Sequence, residues 1–406
     1  MESASTKRTL LTDAQRLDWL RLFRSEGVGP RTFKALINRF GSAQGALAAL
    51  PSLKARSGVA ISVCSVADAE KEMAGAARSG VRFVAMGEEG YSYALAQIAD
   101  APPLIGVRGD LKALARPGVA IVGSRNASAV GMRLAEILAR GVGEGGFAII
   151  SGLARGIDAR AHEASLRTGA IAVLAGGHHR VYPAEHEPLL QRILDAGGAV
   201  VSEMPIDWTP RARDFPRRNR IVSGLALGVV VIEAARKSGS LITARFALEQ
   251  GREVFATPGS PLDPRAEGAN DLIRQGATLV TEPDHVLSVL APLVARPPEA
   301  DSLAETGSSK ADANLYWDEL DLPDLAEPEA AQRPSFPGWE DAPEPAFQAP
   351  EQRIMNLLSF NPIEIDELVR LSGVNVRDVK AVLVELAMSG RIERHGANRI
   401  ALCPSG

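Results

Sequence analysis

The sequence predicts an α/β protein built on a mostly parallel sheet, and three observations predict it. Between Val119 and Gly259 short apolar runs recur, each stopping at Gly, Ser or Arg: AIVGSR, SGLARGIDARAH, VLAGG, VVVIEAARKSGSLITA and VFATPG. Most are followed by a stretch with helical periodicity, the alternation of a parallel sheet with crossover helices. The runs are apolar on both faces, as strands are when helices cover both sides. Such a core is Rossmann-like. A small helical unit precedes it, and a unit of helices and a hairpin follows it.

Residues 1–77 form the first unit. Leu17, Leu20 and Phe23 share a helical face that Trp19 and Leu22 widen. Gly27-Val28-Gly29-Pro30 then turns the chain into a second helix carrying Phe33, Leu36, Ile37 and Phe40. Helix, G-x-G-P turn and helix resemble a helix-hairpin-helix or SAM-like domain. Such a turn meets a DNA phosphate in some proteins and serves packing or protein contact in others, and both readings stand.

Residues 78–296 form the Rossmann-like domain. Residues 81–116 read as an irregular entry, with LIGVRG after Pro102-Pro103 as an edge strand. Strands are expected near 118–123, 147–151, 170–175, 199–202, 228–233, 253–256 and 277–280. Helices are expected near 128–142, 158–168, 186–196, 216–225, 240–250, 269–275 and 283–292. Leu272, Ile273, Val286, Leu287 and Val289 exceed what two edge helices need, which leaves apolar surface for a homodimer contact.

Residues 297–350 carry 13 Asp/Glu against Lys310 and Arg333, a net of −11. This mixture of Pro, Ala and acids has no period and buries too little apolar surface to fold alone, so a disordered linker is expected. Trp317, Phe336, Trp339 and Phe347 lie within it, either in transient packing or as a docking motif. Residues 351–406 read as a winged helix. RIMNLL, IDELVRLSG and VRDVKAVLVELAMSG are three helices, and RIERHGANRIAL is a pair of strands. Arg377, Lys380 and Arg399 permit DNA contact, and winged helices also bind protein.

At 406 residues the chain exceeds one ordinary core, in agreement with several domains. Cys64 and Cys403 are its two cysteines, without metal-type spacing, and read as unpaired thiols in a reducing compartment. The polar start MESASTKRT lacks the apolar core of a signal peptide. No run approaches the roughly 20 apolar residues of a spanning helix. A cytoplasmic protein without membrane association is expected. The net charge of −4 hides segregation, because without the acidic stretch the rest of the chain is at +7. Clustered on one face, such charge suits a polyanion.

The strand ends show where it clusters. Gly123-Ser124-Arg125-Asn126 follows the first strand of the sheet proper. It is neither G-x-G-x-x-G nor G-x-x-x-x-G-K-[ST], which disfavours a dinucleotide cofactor and an NTPase. Gly123 admits a ligand backbone, Ser124 donates, and Arg125 offers a fork to phosphate or to an internal carboxylate. Next, Gly152 and Gly156 bracket a turn containing Arg155 that leads into a helix whose dipole favours an anion. Asp158 reads as that helix's N-cap, with Arg160 and His162 on its surface. Third, RARDFPRRNR places Arg211, Arg213, Arg217, Arg218 and Arg220 around Asn219, in the connection between a strand and a helix. Phe215 among them either stacks a base or packs in the core. Fourth, Ser238-Gly239-Ser240 opens a helix and is another anion-ready turn. Four such loops exceed what one mononucleotide needs and suit a single-stranded nucleic acid. No acid–base pair, Ser-His-Asp set or His/Cys cluster is legible, so neither catalytic residues nor a metal or cofactor are expected.

At these residues the sequence closely resembles the bacterial DNA-processing protein A family (DprA, also called Smf). The matching pieces are VGSR, SGLARGID with AH following, VYP, FPRRNRIVSGLA, EAARKSGSLITARFAL and FATPG, and they cover about 80–293. The resemblance implies a Rossmann-like protein that binds single-stranded DNA without catalysis, forms homodimers, protects incoming DNA and helps load the RecA recombinase in natural transformation. It places Ser124 and Arg125 in the GSR motif, Gly152, Arg155 and Gly156 in the glycine-rich loop, and Arg217, Asn219 and Arg220 in F-P-x-R-N-R. One departure is Tyr182-Pro183-Ala184-Glu185-His186, where the family often has Y-P-K-x-N. His178, His179 and Arg180 are candidates to supply the missing contact. Two other classes compete. A related Rossmann-like family hydrolyses nucleoside monophosphates through P-G-G-x-G-T-x-x-E, and the turn 237–243 lacks that glutamate. The third class is a winged-helix transcription regulator with the Rossmann-like domain as sensor.

Overall fold

The computed structural model describes residues 10–53, 61–295, 349–396 and 398–403. Four helices open it: α1 (Asp13–Arg24), α2 (Pro30–Phe40), α3 (Ala43–Ala49) and α4 (Val66–Arg78). Thr12 and Gln15 close a capping box at the start of α1. Gly27, at φ 72°, makes the turn that the G-x-G-P pattern foretells, and Gly29 caps α2 with Pro30 at its first position. Phe33 is fully buried and takes Trp19 and Phe23 edge-on at 5.0 and 6.2 Å. Arg24 joins this unit to the sheet domain by pairing with Glu72 at 2.9 Å and donating to the Glu203 carbonyl at 3.1 Å.

The sheet has nine strands: β1 (Val81–Ala85), β2 (Leu104–Gly109), β3 (Gly118–Gly123), β4 (Ala148–Ser151), β5 (Ala170–Val173), β6 (Ala199–Ser202), β7 (Gly228–Ile232), β8 (Glu253–Ala256) and β9 (Thr278–Leu279). Their order is β1-β2-β6-β5-β4-β3-β7-β8-β9. The pairs β1/β2 and β2/β6 are antiparallel and the rest parallel. LIGVRG, expected at an edge, is β2 and lies inside the sheet. The edge is β1, whose Val81 and Val84 are buried although its surroundings read as irregular.

The sheet's helices are α5 (Tyr93–Ala96), α6 (Leu111–Ala115), α7 (Ala129–Glu144), α8 (Ile157–Ser165), α9 (Glu187–Asp195), α10 (Asp214–Gly224), α11 (Gly239–Glu249), α12 (Glu267–Arg274) and α13 (Pro283–Ala295). Strand alternation divides the core. Ala120, Val122, Val229 and Val231 pack toward α10 and α11. Val119, Ile121, Val230 and Ile232 pack toward α7, α8 and α13. Of the apolar residues expected to be surplus, Val286 is buried, and Leu272, Leu287 and Val289 pack against these cores. The exposed apolar residues here are others, among them Leu248 at 60% and Leu279 on the edge strand β9 at 45%.

The parallel part of the sheet is wound in two directions from β3. From β3 the chain runs outward through β4 and β5 to β6, then returns to place β7 on the other side of β3. This reversal opens a crevice at the carboxyl ends of β3 and β7, the place where open α/β sheets bind ligands.

The stretch expected to be a linker lies outside the described residues except for its last two. Beyond it come α14 (Pro350–Leu357), β10 (Ile363–Glu364), α15 (Ile365–Ser372), α16 (Val376–Met388), β11 (Ile392–His395) and β12 (Arg399–Leu402). These form the winged helix, with β10 as a third strand that the sequence reading did not include. It sits against the sheet domain. Ala129 and Met132 of α7 join its core. Arg265 grips Asp263 at 3.0 Å and donates to the carbonyls of Asn356 at 3.0 Å and Leu358 at 2.8 Å, at the end of α14.

Arg265→Ala is expected to weaken this seat by about 1.5–3 kcal/mol, the range for hydrogen bonds to a charged group. Faster amide exchange in α14, with β3 and β7 unchanged, is the expected reading. Unchanged exchange in α14 would assign the seat to Ala129 and Met132 alone.

Candidate nucleic-acid interface

The crevice is built from backbone upward. A Cβ at Gly123 would come within 1.9 Å of the Ile232 carbonyl oxygen, so only glycine lets β3 end this close to β7. Ser124 then donates its amide to that carbonyl at 3.3 Å, and its hydroxyl accepts from Asn126 N–H at 3.1 Å. The second loop presses on the first. Gly156, at φ 72°, lies where a Cβ would be 2.3 Å from the Ser124 carbonyl oxygen, and Ile157 N–H donates to that oxygen at 3.2 Å.

Asp158 is not the N-cap expected from the sequence; Gly156 is, and Asp158 lies inside α8. Its carboxylate reaches back over the loop and accepts from the amides of Gly152 at 3.0 Å and Ala154 at 3.3 Å. Burial pushes this carboxyl up, while Arg218 and the two amides pull it down. His162, expected on the surface, is fully buried because α8 packs against both the sheet and α7. Burial takes its imidazole down to about 3. Arg160 lies on α8 and pairs with Glu136 at 2.5 Å.

The helix expected near 216–225 is α10, which begins two residues earlier, so FPRRNR is its first part and only Arg211 and Arg213 of the arginine-rich segment lie in the connection before it. Helical spacing therefore sends its arginines in different directions. Arg218 runs inward under Gly152, where a Cβ would meet its Nη1 at 1.8 Å, and Nη1 donates to the Val173 carbonyl at 2.8 Å. It is 6% exposed, and burial lowers its guanidinium to about 10 despite the Asp158 charge. Asn219 donates to the Gly239 carbonyl at 3.2 Å and so binds α10 to α11. Arg220 points away from the crevice. It pairs with buried Glu203 and donates to the Asp100 carbonyl at 2.5 Å. Arg217 reaches the same Glu203 at 2.6 Å from a half-exposed position.

The result is a cavity of about 380 Å³. Nine of the thirteen residues singled out in the sequence line it: Gly123, Ser124, Arg125, Gly152, Arg218, Asn219, Ser238, Gly239 and Ser240. Arg155, Gly156, Arg217 and Arg220 do not. Arg155 pairs with Glu185 at 2.6 Å, beside His186, whose Nδ1 lies 2.8 Å from the Leu153 carbonyl. Sequence reasoning missed Asn126, Lys237 and Thr243, which also line the cavity. Lys237 and Thr243 stand in the turn 237–243 already singled out, so their place beside Ser238 was the available signal. Phe215 lines the mouth with Tyr182, edge to face at 5.3 Å, and the Arg125 guanidinium lies 5.5 Å from the Phe215 ring centre. Ser238 caps α11 and accepts from Ser240 N–H at 3.3 Å.

The histidines near Ala184 serve elsewhere. His178 is buried against the Gly106 carbonyl at 2.9 Å, and burial lowers it to about 4. His179 has Nδ1 2.8 Å from Asp207, and its Nε2 lies 2.5 Å from the Ser79 hydroxyl. The tertiary fold thus assembles a Ser-His-Asp chain that no sequence spacing foretold. The amides of Ser79 and Gly80 beside it are bonded to carbonyls of α4, so neither is free to receive an oxyanion. Among the described residues no group of three or more His, Cys, Asp or Glu stands together as a metal site. No helix among them is long and apolar enough to cross a membrane.

Residues 82–291, more than half of the chain, match the family model of the DNA recombination-mediator protein A. The chain belongs to that family. Residues 13–75 match a DprA-like N-terminal HHH domain and residues 339–398 a DprA winged helix domain. The chain is 39% identical to Protein Smf of Escherichia coli, over 75% of this chain and 73% of that one. It is 44% identical to the DNA processing protein DprA of Streptococcus pneumoniae, over 49% and 70% of the two chains. The crystal structure of DNA processing protein A from Streptococcus pneumoniae is similar at a TM-score of 0.52 and 34% identity, covering 70% of this chain and 95% of that chain. The family's sheet domain, helical hairpin and winged helix therefore all have counterparts here.

Arg220→Ala is expected to destabilise the fold by about 3–5 kcal/mol, because it leaves the buried Glu203 carboxylate with only Arg217. Chemical denaturation measures this. A loss below about 1 kcal/mol would show that Arg217 alone compensates Glu203.

Proposed function

We propose that the crevice at the ends of β3 and β7 binds single-stranded DNA with little sequence preference, and that the protein acts without catalysis in DNA processing and recombination. The observation that carries this reading is the pocket's composition. Backbone amides, the hydroxyls of Ser124, Ser238 and Ser240, and the cations Arg125 and Lys237 surround a mouth walled by Phe215 and Tyr182. Such a mixture holds a phosphate and stacks a base, and it offers no paired edge to read sequence. Asp158 is the one carboxylate lining the cavity, and it is engaged by two amides beside Arg218. Its Oδ2 bonds to those amides give it a loop-holding task, which favours the binding reading over the nucleotide-hydrolase one.

Three further parts of the reading draw on family membership. The protein works in the cytoplasm, partners a RecA-type recombinase during natural transformation, and forms a homodimer. Leu248 on α11 and Leu279 on the edge strand β9 are the exposed apolar residues that support the dimer. Two joined crevices would bind long strands with avidity. The acidic stretch 297–350 links the winged helix to the sheet domain in this reading.

Titration with labelled oligonucleotides across a salt series tests DNA binding. Single strands should outcompete duplex of the same length. If three phosphates are neutralised, log K should fall with log salt at a slope near −2, since each contributes about −0.7 on single strands. Arg125→Ala should weaken binding by about 1–3 kcal/mol with the fold intact. Equal affinity for duplex, or binding indifferent to salt, would refute the reading.

Light scattering should give twice the monomer mass, and Leu279→Asp should reduce it to one. A mass unchanged by that substitution would remove β9 from the dimer contact. Co-elution with a RecA-type recombinase tests the partner, and its absence on DNA would remove loading from the reading.

A further inference from the structure

The polar groups of the crevice are not spread evenly with depth. Thr243, at 1% exposed, and Ser240, at 7%, are the buried hydroxyls that line it, and both belong to the first turns of α11. Gly239 stands at the first position of that helix, where the amide has no intrahelical partner. No hydrogen bond within the protein uses the Thr243 hydroxyl among the described residues. Phe215 and Tyr182, by contrast, are only partly buried, and Lys237 is exposed. The Ser240 and Thr243 hydroxyls therefore sit at the inner end, and the ring faces stand further out with the exposed Arg125 and Lys237. Gly152 with Arg218 beneath it closes another wall.

A nucleotide entering such a cavity goes in phosphate first. An internal phosphodiester carries a sugar on each side, so the strand would have to fold back on itself to bring one to the start of α11. A terminal phosphate carries a sugar on one side only and meets no such constraint. The cavity of about 380 Å³ also lies near the small end of ligand sites, with room for one nucleotide rather than a run. Charge favours the same ligand. A phosphomonoester holds about −1.5 to −2 near neutral pH against the single charge of a diester, and the helix start together with Arg125, Lys237 and Arg218, which line the same cavity, stabilises the higher charge.

We propose that this pocket captures the terminal phosphomonoester of a single strand, with the phosphate at the start of α11 and the last base at the mouth against Phe215 and Tyr182. The inference rests on the single-strand reading above and narrows it to a strand end.

Competition binding with one short oligonucleotide in four forms tests it: a 5′-phosphate, a 3′-phosphate, hydroxyls at both ends, and a closed circle. One phosphorylated form should bind about 10-fold tighter than the hydroxyl-ended strand, as expected of an added charge-assisted contact. Which form wins distinguishes the two termini. The ratio should shrink below about pH 6, where a phosphomonoester takes up a proton. It should also fall toward one in Ser240→Ala and Thr243→Val, whatever the absolute affinities. Equal affinity for all four forms overturns the proposal and leaves single-strand binding standing. If no form binds, the wider reading fails. The pocket assignment then survives only if a deoxynucleoside monophosphate binds and its nucleoside does not; otherwise it falls as well.

Discussion

The reversal of strand order between β3 and β7 is the constraint on which the site depends. Helices that follow neighbouring strands normally cover the gap between them. Here β3 continues into α7 on one face and β7 into α11 on the other, so the gap stays open at their carboxyl ends. The close approach of the two strands demands Gly123, and the Ile232 carbonyl that forbids a side chain there also receives the Ser124 amide. Loop shape, exposed amides and the start of α11 all follow from that crossing. The pocket is a property of the topology before it is a property of any side chain.

Charge on this scaffold serves two purposes that composition does not separate. Arg220 pairs with Glu203 inside the domain, and Arg217 shares that carboxylate from the surface. Such a pair contributes little net stability against an apolar replacement, yet breaking it is costly because one charge stays buried alone. Arg218 stands between the two purposes. It is buried and hydrogen-bonded to the Val173 carbonyl, and it also forms part of the pocket wall beside Asp158. Its charge raises the potential of the pocket even where its nitrogens do not touch a ligand. Arg125 and Lys237 stand exposed at the rim of the same cavity.

The flanking units are joined to the sheet domain through backbone carbonyls. Arg24 donates to the Glu203 carbonyl, and Arg265 donates to the carbonyls that end α14. A guanidinium suits this task because its fork satisfies a carboxylate and a carbonyl together. The winged helix is thereby seated on α7, the helix that follows the Gly123–Asn126 loop, while its three-strand sheet is built from its own residues.

Sequence alone determined the domain kinds, the parallel core and nine residues of the pocket. Each of these rests on local chemistry: period-two and period-3.6 apolar patterns, glycine where backbones touch, and Ser at a helix start. It did not determine direction. FPRRNR reads as one basic run, but a helix distributes it over about 100° per residue, and only packing against Glu203 and Gly152 decides which guanidinium faces inward. Asp158 reads as a cap because it stands near a helix start; that its carboxylate reaches the Gly152 amide depends on the turn made by Leu153 at φ 57° and Gly156. LIGVRG reads as an edge because β1 lacks strong alternation, and the pairing that covers it comes from a segment about 20 residues earlier in the chain. Ser79, His179 and Asp207 lie far apart in sequence and meet only because α4 packs beside the loops after β5 and β6. Local pattern fixes what a segment is, and long-range packing fixes where its side chains point.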